Sequence, residues 1–117
     1  MSAIYSPAVL SGSTDGMPIP VAATGTPGTL IHTAGGTGLD EVFIFVSNVT
    51  LAAATLTVEW GGTSDPGSHL VKAYSVAANS GPIPVALGQR VQNSKVIRAF
   101  SNTGSALNIT GLVNQVR

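Results

Sequence analysis

DEVFIFVSNVTLAAATLTVEW, from Asp40 to Trp60, carries two strand signatures of different kinds. Its first part, DEVFIFVSN, is almost continuously apolar and rich in β-formers, as expected of a strand buried on both faces or lying at a subunit contact. Its last part alternates. Leu56, Val58 and Trp60 fall on one face and Thr55, Thr57 and Glu59 on the other, the pattern of a half-buried strand. Between them Ala52-Ala53-Ala54 is too short to nucleate a helix and reads as a connection.

The same period continues outward. Candidate strands run from Thr29 to Thr33, His69 to Val76, Ile83 to Leu87, Lys95 to Ser101 and Ala106 to Val116, separated by glycine-rich turns at Ala34 to Gly38 and Gly61 to Ser68. Asn102-Thr103-Gly104-Ser105 reads as a hairpin turn, because Asn and Gly suit left-handed backbone positions. About eight strands with no 3.6-residue pattern predict an all-β fold, an antiparallel, jelly-roll-like β-sandwich over residues 28–117. Residues 1–27 contain Pro7, Pro18, Pro20 and Pro27, which forbid a helix and discourage a central strand. They also carry Ile4, Tyr5, Val9, Leu10, Met17, Ile19 and Val21, handles a solvated linker does not need. The expectation is an extended N-terminal arm with one or two edge strands, lying on its own domain or on a neighbour. Ile4, Tyr5, Val9 and Leu10 are its candidate partner-binding residues.

Charge is scarce. Asp, Glu, Lys and Arg make up 9% of the 117 residues, against about 25% in an ordinary domain. A chain of this size exposes about 5,900 Å² when folded, so part of that surface is expected to be covered by other protein. The acids all lie at or before Asp65 and the bases all after it, with a net charge of zero. That split fits cross-strand pairing within one subunit, or head-to-tail complementarity between subunits of a ring. Five scattered bases are too few for direct nucleic-acid binding, no apolar run has the length of a membrane span, and the N-terminus lacks the basic region of a signal peptide. The sequons at Asn48 and Asn108 read as chance matches within strands.

The chemistry of a catalytic site is also thin. With no cysteine, thiol catalysis and Cys-based zinc are excluded. Gly35-Gly36-Thr37-Gly38 and Gly61-Gly62 lack the Lys-Ser/Thr and following helix of a phosphate cradle and read as turns. Asp40 and Glu41 point to opposite faces of a strand and cannot pair as glycosidase acids; together with Glu59 they read as solvated or ion-paired carboxylates. His32 and His69, with Asp65, are a weak metal set, and no nucleophile elbow occurs. Trp60, at a strand end beside a glycine-rich loop, has the position to stack on a sugar, although its alternation with Leu56 and Val58 favours core packing. No enzyme and no cofactor is expected.

LDEVFIFVSNVTLAAATLTVEWGG, followed by the C-terminal KVIRAFSNTGSALNITGLVNQVR, resembles small virion proteins of tailed bacteriophages, most of all head decoration (cement) proteins. The resemblance rests on Glu59-Trp60-Gly61-Gly62, on Val96 to Thr103 and on Ile109 to Asn114, about half the chain, and leaves residues 1–27 uncovered. It implies a structural protein on the capsid exterior, made in the host cytoplasm. Such a protein binds across neighbouring major capsid subunits, often as a homotrimer. A glycan-binding sandwich module and a head-to-tail or tail component are the alternative readings.

Overall fold

The computed structural model describes residues 4–117. Nine strands follow in order: β1 (Tyr5–Val9), β2 (Ile19–Pro20), β3 (Thr29–Thr33), β4 (Leu39–Asn48), β5 (Ala54–Trp60), β6 (His69–Val76), β7 (Ser80–Gln92), β8 (Val96–Ser101) and β9 (Leu107–Val116). One antiparallel sheet has the order β1-β9-β4-β7, with the short β2 also on β9; the other has the order β3-β8-β5-β6. With β2 set aside, these two four-stranded orders are the jelly-roll arrangement, so the expected fold class is the observed one. No helix among the described residues is long and apolar enough to cross a membrane.

Alternation builds the core. On β4 the inward residues Val42, Ile44 and Val46 are buried, while Glu41, Phe43 and Phe45 on the outer face are half-buried. The strand is therefore not buried on both faces. Ile109 and Val113 of β9 sit beside its inward residues, and Leu56, Val58, Ile97 and Ala99 close the core from the opposite sheet. β7 reaches the same face through a bulge. Val42 pairs with Gln89 but Phe43 pairs with Leu87, and the extra residue, Gly88, has φ +91° with the Phe43 ring 3.5 Å from where a Cβ would stand.

From β3 onward the chain changes sheet at every connection except β5 to β6. The hairpin expected at Asn102 to Ser105 is therefore corrected: β8 lies between β3 and β5, β9 between β1 and β4, and residues 102–106 cross from one sheet to the other. Their turn chemistry is real but serves other partners. Asn102 Oδ1 accepts from Thr55 N at 2.9 Å, and Ser105, with φ 59°, donates its N–H to Val21 O at 2.8 Å.

The N-terminal segment belongs to the sandwich. β1 pairs with β9 from Tyr5↔Val116 to Val9↔Leu112, an edge position where Pro7 removes no needed hydrogen bond. Leu10, Ile19 and Val21 are buried in the common core. Gly12 passes so close to β3 that a Cβ there would lie 2.4 Å from Leu30 O, and its N–H donates to Ile31 O at 2.9 Å. Of the two placements open to the arm, residues 4–27 lie on their own domain, with Pro7 and Pro20 on the edge strands β1 and β2 and Leu10, Ile19 and Val21 in the core shared with 28–117.

Candidate functional site

The outer face of the β1-β9-β4-β7 sheet is the candidate interaction surface. Register places Val9, Leu112, Phe43 and Leu87 in one row across all four strands. Val9 is 48% exposed, Leu112 43% and Leu87 61%, values that leave apolar side chains facing water. Phe45 and Pro84 extend the band on one side, and Tyr5, Val116 and Leu39 lie beyond it on the other. The charged pair on this face cancels itself, since Arg90 Nη2 stands 3.0 Å from Glu41 Oε2. Four strands about 4.8 Å apart and some ten residues at about 3.4 Å give a face of roughly 650 Å², near the ~800 Å² that each partner contributes to a standard interface.

A second apolar feature stands at the β4–β5 connection. Leu51 is 89% exposed and Val49 60%, on a loop that Asn48 holds rigid. The buried Asn48 Nδ2 donates to Ala52 O at 2.8 Å and Val76 O at 3.1 Å, and its Oδ1 accepts from Thr50 N and Thr50 Oγ1. The sequon asparagine is thus consumed by the fold.

Of the four proposed partner anchors, Ile4 and Tyr5 are 64% and 62% exposed and Val9 lies in the apolar row, but Leu10, at 1%, is a core residue. Sequence reading missed Leu87, Leu112 and Leu51. Phe43 and Phe45, apolar on the wrong phase of β4, were the signal for the first two.

The carboxylates separate by environment. Asp40 is fully buried, with Oδ2 2.7 Å from His32 Nε2 and Oδ1 3.1 Å from Arg117 Nη1. Ser11 N donates to His32 Nδ1 at 3.0 Å, which leaves Nε2 to carry the proton given to Asp40. Burial alone would raise the Asp40 carboxyl, but the hydrogen bonds from His32 and Arg117 and the charge of Arg117 outweigh it and hold the group below the ordinary carboxylate range. Glu59 is a correction to the expected solvated or ion-paired acid: it too is fully buried, under residues 26–28, accepting from Thr26 Oγ1 and, at 2.7 Å, from Gly28 N. Asp65 is exposed and bonded to Lys72 Nζ at 2.7 Å, which lowers its pKa. Its carboxylate also lies 3.6 Å from His69 Nδ1, but His32 is on another strand facing Asp40, so the three do not form one site. No group of three metal-ligating side chains occurs among the described residues.

Where β5 ends, a cleft of about 520 Å³ opens between the glycine-rich β5–β6 loop and the β7–β8 turn. Trp60, half-buried and packed against the core, lines this cleft together with Arg90, Gln92, Asn93 and Lys95. Asn93 and Ser94 both have φ 59°, a tight left-handed turn that projects Lys95. A smaller cleft of about 230 Å³ adjoins it, sharing Gly61 and Lys95 and adding Arg98. The core packing expected of Trp60 and its access to a ligand coexist.

No protein-family model, curated protein or solved structure matches the chain.

Proposed function

We propose that the chain is a non-enzymatic structural protein of a tailed-phage virion, which decorates the capsid exterior and ties neighbouring major capsid subunits together. The observation that carries the reading is the apolar row Val9, Leu112, Phe43 and Leu87 across the outer face of one sheet. Charge supports it. Asp40 with Arg117, Glu41 with Arg90 and Asp65 with Lys72 are paired within the chain and Glu59 is buried, which leaves Asp15, Lys95 and Arg98 as the charges without an ion-pair partner among the described residues. A surface of 5945 Å² with so little free charge is poorly protected against association. Two-sheet jelly rolls serve in viral capsids and in lectins, and fold alone does not choose between them. The sheet face favours a broad protein contact.

The proposal includes assembly as a cyclic homo-oligomer, a trimer by resemblance. The motive is the uncharged surface alone, because the early acids and late bases are spent on each other inside one chain. A rigid sandwich touching several subunits gains by multivalency what each contact lacks.

Titration of the purified chain onto empty capsids, followed by light scattering and co-sedimentation, tests the reading. Saturation at a fixed ratio to the major capsid protein is the expected result. A chain that neither binds capsids nor self-associates at micromolar concentration would remove it.

A further inference from the structure

We infer that the cleft beside Trp60 binds an acidic saccharide, a role separate from docking through the sheet face. The cleft of about 520 Å³ falls in the range of small-molecule sites, about 300–1,000 Å³, which join an apolar wall to a few convergent polar groups. Trp60 supplies the wall. It is half-buried, packs against the core and lines the cleft, an aromatic surface against which the apolar side of a pyranose can pack. Gln92 and Asn93 at the rim carry amides, each with donors and an acceptor, the complement that vicinal hydroxyls require.

Charge selects an acid. Lys95 and Arg98 have no carboxylate partner among the described residues, Arg98 meeting only the Gly28 carbonyl at 3.4 Å, and both line the adjoining cleft of about 230 Å³. Of the acids of the surrounding elements, Glu41 pairs with Arg90 and Asp65 with Lys72, while Glu59, buried with Thr26 and Gly28, stands directly across the sheet from Arg98. Arg90, neutralised by Glu41, contributes donors without net charge. A carboxylate or sulfate on a sugar packed against Trp60 then lies toward Lys95, which lines the same cleft and has no acid opposite it among the described residues.

Trp60 is the sole tryptophan, so emission excited selectively over Tyr5 and Tyr74 reports on Trp60. The chain is titrated with trigalacturonate, sialyllactose and a heparin-derived hexasaccharide, with maltotriose and citrate as the neutral and the sugarless controls. At least one acidic saccharide is expected to change Trp60 emission saturably, at least tenfold more tightly than maltotriose or citrate. Lys95→Ala, at an exposed position, is expected to weaken it at least tenfold with an unchanged unfolding midpoint. Absence of a saturable response to all three, equal binding of maltotriose or citrate, or undiminished binding by Lys95→Ala would each overturn the assignment. None of these results bears on capsid binding, which the sheet face carries independently.

Discussion

Asp40 and Glu41 are neighbours in sequence with opposite fates. Strand alternation sends Asp40 into the core, where His32 and Arg117 meet it, and Glu41 to the outer face, where it pairs with Arg90. Replacing Asp40 by Asn leaves a buried imidazole and a guanidinium without their anion, and removal of one partner of a buried pair costs about 3–5 kcal/mol. Urea unfolding at neutral pH is expected to register a loss of that order. Because the folded carboxyl titrates below its unfolded value of about 3.9, its contribution is complete above that pH and is lost as pH falls through the folded pKa. The wild-type chain should therefore lose stability on acidification below about pH 4 more steeply than Asp40→Asn, and parallel pH profiles would remove Asp40 from the account. The opposite faces of Asp40 and Glu41 were legible from period two. The burial of Glu59 was not, since its cover, Thr26 and Gly28, comes from a loop about thirty residues away. Leu51 was invisible for a related reason: only the Asn48 hydrogen bonds reveal a rigid tip. Leu51→Asp should change stability by no more than about 0.5 kcal/mol and, if the tip touches the capsid, weaken capsid binding measurably by co-sedimentation.

At the scale of elements, strand existence followed from alternation, and β3 and β4 fall almost where the sequence placed them. Sheet membership did not follow. Asn102 to Ser105 has hairpin chemistry, yet in a jelly roll a short connection also serves to cross between sheets, and the deciding contacts, with Thr55 and Val21, are distant in sequence. The prolines of residues 4–27 were read as discouraging a central strand while leaving one or two edge strands, and β1 accommodates Pro7 at the sheet edge. Leu10 separates an arm from an integral element. Truncation of a buried leucine costs about 2–5 kcal/mol, so Leu10→Ala is expected to lower the denaturation midpoint strongly. A variant as stable as the wild type would contradict the integration of this segment into the core.

For the molecule as a whole, the sparse charge seen in the sequence becomes sparser in three dimensions, because three ion pairs close within the chain. The near-continuous apolar run of β4 resolves into one buried face and one half-buried face on which Phe43 and Phe45 lie between Glu41 and Ser47. Capsid protein is proposed to cover the outer face of this sheet. Leu87→Lys combined with Leu112→Lys adds two charges to it at exposed positions, with little expected effect on the fold, which circular dichroism and the unfolding midpoint check. The most direct measurement is quantitative mass spectrometry of purified virions carrying the wild-type or the double-variant chain. Wild-type chain is expected in fixed ratio to the major capsid protein, and a folded double variant depleted at least tenfold, about 1.4 kcal/mol of lost contact. Virions without the wild-type chain, or incorporation of the double variant at the wild-type ratio, would contradict the proposal.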